Sequence, residues 1–496
     1  MTSQHTSSSK NTNQSLDWLV FFLVSALLAL GPVVRGGNRQ IALMGLLGLG
    51  LVLLALLIAS ASFDRFFDRP ARSAPGQGDA RLGRWQLALV ALVGASPLWL
   101  GLVQLVPLPA ALWTSLPGRD FYLAALSSTG VAAPAMLPLS LNPAATWTAL
   151  LSGVPAAAAF FAAMALPARL VDKALGVLLA MGACQLLLAL LQFSQGSKSL
   201  FYFDMPGASG FVGSFANRNH LADFLAMLIP LWFYRLAQNH KPAQPDRRQA
   251  HSGRGAMRMP LWLFFGFALL VVILSTLSRG GLIATSVVLL ASSLLLGLGL
   301  RKALSRRQRL GMVALVLTFG VLALSAVGFE GIGQRIDGDT LALDASARNS
   351  YTAATLQGAH AFWPWGSGAG TFESVFPRFQ APQSLGYVEY AHNDYAQILM
   401  ELGLPGLLIA AALLALVLGQ LRALRLAYRA EGRFSRALAL RSYCGLAAAA
   451  LLVHSAVEFN MHIPALAITA AFLMGVYLRP LAPYSTRTDR RPTHGS

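Results

Sequence analysis

Runs of about twenty apolar residues recur along the chain, the purest being "QIALMGLLGLGLVLLALLIA" at 40–59. A run of this length has one common physical solution. Backbone N–H and C=O groups in hydrocarbon must pair within their own segment, and about 20 helical residues cross the bilayer core. On this test, spans fall near 17–34, 41–61, 86–108, 146–166, 174–194, 219–237, 261–278, 281–300, 310–329, 394–419, 442–457 and 463–478. The turns inside 261–300 and 442–478 are short. Only 12% of the residues are charged and 55% are hydrophobic, where a soluble domain carries about 25% charge. The expected fold is therefore all-α, a polytopic integral membrane protein of about 12 transmembrane helices with a large loop, 330–391, before the tenth.

No cleavable signal peptide is evident. Residues 1–16 are polar with one lysine, and the apolar run behind them is too long and lacks a small-residue cleavage site. The first span is read as a retained anchor, and the polar tails 1–16 and 480–496 as disordered. Cys184 and Cys444 fall inside spans, where cysteine packs as a small apolar residue.

The net charge of +18 is distributed by loop. Five arginines occupy 62–85, five Lys/Arg 238–260, five 301–309 and six arginines 420–441. The alternate segments hold few: Arg119 in 109–145, Lys198 and Arg218 in 195–218, and Arg335, Arg348 and Arg378 in 330–391. By the positive-inside rule the basic set and both termini are cytoplasmic. The excess charge then reports orientation and contact with anionic lipid heads, and no nucleic acid is implied.

Three features share the predicted outer face. Arg218 stands in "SFANRNHLADF", Arg279 in "STLSRGGLIA", and His392 in "EYAHNDYAQ". An arginine at a helix end can simply snorkel to the headgroups. Here the arginines sit where positive charge is otherwise avoided, and ionisable groups at the hydrocarbon boundary mark function. Asn217, Asn219 and His220 supply further polar groups around Arg218, and a guanidinium fork suits phosphate oxygens. Asn393 or Asp394 can cap the helix that begins after His392, and the N-terminal dipole favours a neutral ring able to accept a proton, as a general base must. Glu389, Tyr395, Glu458 and His462 read as hydrogen-bonding or capping groups, and His454 as a bond between helices. The aromatic residues of 362–379 suit interfacial anchoring better than sugar stacking. No metal or cofactor motif stands out: there is no DxD-type run, no paired histidine at helical spacing and no phosphate-cradling glycine loop.

His392 and Asn393, then nine residues, Gly403, two residues and Gly406, resemble the histidine motif of the O-antigen ligases, a signature shared with O-antigen polymerases and bacterial O-oligosaccharyltransferases. "FANRNHLADF", "LSRGG" and the stretch from Arg348 through "FWPWGSGAGTF" are similar to other segments of these proteins, so the resemblance covers roughly 200–410. It implies a GT-C-like membrane glycosyltransferase at the periplasmic face of the bacterial inner membrane. Its donor would be an undecaprenyl-diphosphate-linked glycan and its acceptor lipid A-core or another glycan. His392 would be the base, Arg218 and Arg279 would hold the diphosphate with Arg348 as a third, and Asn217, Asn219, His220, Asn393 and Asp394 would support them. A polymerase or protein oligosaccharyltransferase would use the same chemistry with another acceptor. A transporter is the alternative of another class, but transporter sites lie on broken helices near the midplane, and the polar residues here gather at the outer ends of the spans.

Overall fold

The computed structural model describes residues 3–60, 84–130, 134–196, 199–202, 210–239, 258–299, 305–333, 339–381 and 386–481. Seventeen α-helices follow in chain order among these residues: α1 Ser3–Leu30, α2 Gln40–Ala59, α3 Arg84–Gly94, α4 Ser96–Gln104, α5 Ala110–Thr114, α6 Asp120–Ser128, α7 Pro143–Ala165, α8 Ala168–Gln195, α9 Arg218–Asn239, α10 Arg258–Ser275, α11 Arg279–Gly299, α12 Arg306–Gly333, α13 Asp339–Ala361, α14 Phe372–Val375, α15 Asp394–Glu431, α16 Arg436–His454 and α17 Pro464–Tyr477. Two three-residue strands, β1 Pro107–Pro109 and β2 Met136–Pro138, pair antiparallel between α4 and α7. Among the described residues the fold is all-α apart from this ribbon.

Each apolar run read from the sequence falls on a helix, or on the pair α3 and α4, which is bent by 68°. Among the described residues, six helices are long and apolar enough to cross a membrane, or seven if the bent pair is one span. Helix α1 reaches back to Ser3, into the polar stretch expected to be disordered. No glycine or proline interrupts 3–30, so nothing stops the helix propagating backwards from its apolar half. The C-terminal tail from 482 lies outside the described residues.

Every residue of helix α9 from 221 to 234 is buried, Asp223 included, which makes it the axis of the bundle. Helices α8, α10, α11 and α16 surround it. The densest pairing joins α7 to α17. It depends on small residues: Ala157, Ala158, Ala159, Ala162 and Ala163 are buried, and a Cβ at Gly475 would run into the Phe160 carbonyl. In lipid, such close approach supplies the packing that water would otherwise drive. At one end of the bundle Asp172 draws together Arg235 at 3.0 Å, Arg436 at 2.9 Å and the Tyr234 hydroxyl at 2.8 Å, tying α8, α9 and α16. The starts of α9, α11 and α15 lie at the other end.

The segment 330–391, expected to be a loop, is largely built. Helix α13 runs through it and packs on α15. Phe362, Phe372 and Phe376 are buried in a small core of their own with Val388, Ala391 and Met400, not spread as interfacial anchors. Trp363 and Trp365 remain exposed. This core is fastened to α15 where that helix breaks. Gly403 adopts φ 57°, ψ −139°, a region open essentially to glycine alone. Pro405 has no N–H, so the Glu401 carbonyl has no helical donor. It accepts instead from Gly368 N at 2.9 Å and Gln104 Nε2 at 3.0 Å. Ser367 N donates to Met400 O at 3.0 Å, and Leu404 N to Pro364 O at 2.8 Å. The Glu401 carboxylate completes the joint, accepting from Gly370 N at 2.9 Å and Phe372 N at 3.0 Å.

The joint predicts the effect of Gly403→Ala. The new methyl would be driven into the Pro364 carbonyl while the backbone is held in a glycine-only conformation. We expect a loss of about 1–3 kcal/mol, read as a lower thermal midpoint of the purified protein in detergent.

Candidate active site

The turn after α16, "SAVEFNMHI" at 455–463, folds across the start of α15. Asp394, fully buried, holds it there. Asp394 N donates to Ser455 O at 3.0 Å and to Glu458 O at 3.2 Å, and its carboxylate accepts from Met461 N at 2.9 Å and pairs with His462 Nδ1 at 2.8 Å. Asn393 does the capping that either residue could have done, its side-chain oxygen accepting from Ala396 N at 3.1 Å. Burial alone would lower the proton affinity of His462, but the Asp394 carboxylate outweighs it and raises the imidazole above its ordinary range.

Glu458 projects from this turn, 1% exposed, into the middle of the residues singled out from sequence. One carboxylate oxygen lies 2.9 Å from His392 Nδ1. The other accepts from the Asn219 side-chain amide and has Arg348 Nη2 at 3.7 Å. Burial by itself would raise the Glu458 carboxyl; the hydrogen bond and charge of His392, with His220 and Arg348 nearby, outweigh it and hold the group down to about 2. An ionised carboxylate only accepts, so when the His392 ring is neutral its proton sits on Nδ1 and Nε2 is the free acceptor. Phe459 packs beside both His220, at 4.9 Å between ring centroids, and His392, at 5.0 Å, and it stacks on Tyr390 at 4.4 Å.

The two arginine-bearing helix starts adjoin. Asn217 Oδ1 accepts from Asn219 N at 2.8 Å at the head of α9, and Ser278 Oγ accepts from Gly281 N at 3.2 Å at the head of α11. Gly281 lies so close to Ala222 that a Cβ would overlap its methyl, and Gly280 is equally close to the His454 ring. His454 of α16 stands 3.4 Å from the Asp223 carboxylate of α9, an approach between helices. Arg218 is exposed and Arg279 half-buried. The His392 side chain is 26% and that of Arg348 45% exposed, while the Glu458 carboxylate between them is buried.

Four non-glycine residues among those described have positive φ: Arg35 at 48°, Ala216 at 63°, Leu277 at 54° and His392 at 51°. All lie at this end of the bundle. Ala216 and Leu277 stand two residues before Arg218 and Arg279, and the Arg35–Gly37 turn packs on Phe215, Ile463 and Pro464. Left-handed backbone at ordinary residues is costly and gathers at functional sites.

Sequence reading assigned Glu458 only a hydrogen-bonding part and passed over Glu401. The usable signal for Glu458 was an acid in a short turn between two apolar runs, in a chain with 20 acidic residues in all.

A carboxyl held at about 2 in the fold, against an ordinary 4.5, contributes stability that is fully present above pH 4.5 and is lost as the pH falls towards 2. In Glu458→Gln, that part of the acid destabilisation should vanish. Over this window we expect wild-type stability to fall more steeply, by a difference of a few kcal/mol, seen as a steeper drop of its thermal midpoint with falling pH.

No curated protein matches the chain. Among protein families, the one described as O-antigen ligase matches residues 264–411, a stretch that takes in Arg279, Arg348, His392, Asn393, Gly403 and Gly406 but neither Arg218 nor Glu458. Over that stretch the chain is similar to the O-antigen ligase family, which supports a relation to the O-antigen ligases and polymerases.

Proposed function

We propose that the chain is an O-antigen-ligase-type glycosyltransferase, moving a glycan from undecaprenyl diphosphate to an acceptor hydroxyl, with lipid A-core as the acceptor, at the periplasmic face of the inner membrane. The observation that carries this reading is the meeting of His392, Arg348 and the Arg218–His220 helix start around one buried carboxylate. Such a constellation holds a base and several cations at one end of an apolar bundle, where a polyprenyl chain in the membrane would present its diphosphate.

The chemistry follows from the groups. A sugar hydroxyl is a poor nucleophile. Nε2 of His392 takes its proton as the oxygen attacks the anomeric carbon, and general-base help of this kind is worth about 10²–10⁴ in rate. The bond from that carbon to the diphosphate oxygen breaks, and its electron pair leaves with the diphosphate. Arg218, Arg279 and Arg348 stabilise the charge that builds there, a contribution often larger than proton transfer itself. Attack opposite the leaving group inverts the anomeric centre. Asn217, Asn219 and His220 shape the loop that carries Arg218; Asn393 and Asp394 fix the start of α15 and so the position of His392.

The test uses purified protein in nanodiscs with undecaprenyl-diphosphate glycan, EDTA, and lipid A-core, further donor or a peptide offered separately. Product on lipid A-core is expected, and His392→Ala should slow its formation about 10²–10⁴-fold with the protein still folded. Arg218→Ala and Arg279→Ala should weaken donor use. Chain lengthening of the donor alone would make the enzyme a polymerase, and undiminished transfer by His392→Ala would remove the base assignment.

A further inference from the structure

Glu458 lies outside the matched family segment and 66 residues beyond His392 in the chain, yet it touches His392, the Asn219 amide next to Arg218, and Arg348. We propose that Glu458 is the positioning residue of the reaction: its carboxylate fixes the orientation and tautomer of His392 so that Nε2 faces the acceptor hydroxyl, and it stabilises the imidazolium formed as the proton moves. This rests on His392 being the base.

Several observations converge on that role. The backbone of His392 is left-handed, at φ 51°, so local preference does not set the direction of its side chain. The contacts that can do so are the Glu458 carboxylate at Nδ1 and the Phe459 edge at the ring, both from the same turn. That turn is pinned to the head of α15 by Asp394 through two backbone acceptors, one backbone donor and His462. The second Glu458 oxygen is bound by the Asn219 amide, next to Arg218, so the carboxylate cannot swing away from the ring. Burial to 1% keeps water from replacing either partner. Acid, ring and donor-side loop thus form one rigid unit, as an orienting carboxylate behind a catalytic imidazole requires. As the hydroxyl proton arrives on Nε2, the ring gains a positive charge directly beside the fixed negative one; nothing need leave Glu458, which stays ionised throughout.

A double-mutant cycle distinguishes positioning from mere scaffolding. Transfer to the acceptor is measured with undecaprenyl-diphosphate glycan as probe for wild type, Glu458→Gln, His392→Ala and the double variant, each checked for a cooperative thermal transition. Glu458→Gln should lower kcat by about 10²-fold or more while the KM for donor changes by less than about threefold, and the double variant should be no slower than His392→Ala. Should the amide variant not fold, Glu458→Asp enters the same cycle; it keeps the charge but draws it back from the ring, and its loss should likewise disappear in the His392→Ala background. Costs that multiply in the double variant, or a raised donor KM at unchanged kcat, would overturn the proposal and leave Glu458 as a scaffold or donor-binding group. A fully active His392→Ala would instead overturn the base assignment on which it rests, a result visible before any Glu458 variant is compared.

Discussion

A negative charge buried at the end of an apolar helix bundle must be surrounded by donors or give up its charge, and the candidate site is organised by that requirement. Glu458 meets it with three partners from three distant parts of the chain: Asn219 at the head of α9, Arg348 on α13 and His392 before α15. Because no bulk water can substitute for them, each partner is also held in place by the acid. The same logic operates in Asp394, whose carboxylate and backbone together draw the 455–463 turn onto α15. The polar end of the molecule is thus a set of mutually dependent pairs, and the apolar body supplies the low dielectric that gives them their strength.

The small aromatic lobe built from 330–391 depends on a second device of the same kind. Helix α15 is interrupted at Gly403 and Pro405, and the backbone groups freed there are taken up by the 364–368 strand of chain and by Gln104. The side chain of Glu401 then caps the turn that begins at Phe372. An interruption that would be unfavourable in isolation becomes a socket. It sets the aromatic core of Phe362, Phe372 and Phe376 against the half of α15 that follows His392, and through α13 it brings Arg348 to the site.

Much of this is readable from composition and pattern, and the reasons for the exceptions are physical. The apolar runs announce their helices because hydrocarbon leaves the backbone no other option. His392, Arg218, Arg279 and Arg348 stand out because a charged or ionisable group is conspicuous at the edge of an apolar run. Glu458 and Glu401 act through partners tens to hundreds of residues away, and no local periodicity encodes which distant amide a carboxylate will meet. The aromatic residues of 362–379 misled for a related reason: their number signals order, but only tertiary packing decides whether a ring faces lipid or its neighbours. The polar residues after Ser3 lie in α1, with no helix breaker between them and its apolar half.

The four left-handed residues bear on how such a chain can change. Glycine populates that backbone region without cost, whereas Arg35, Ala216, Leu277 and His392 occupy it only under constraint from the folded surroundings. Ala216 and Leu277 contribute little more than a methyl and a partly exposed apolar side chain, so drift to glycine there would relax the backbone next to each arginine. At His392 the same relaxation would sacrifice the ring. Among the three beside the site, the backbone therefore separates two kinds of position that look alike in a Ramachandran plot: Ala216 and Leu277, where strain is incidental and open to relief, and His392, where the side chain obliges the fold to retain it.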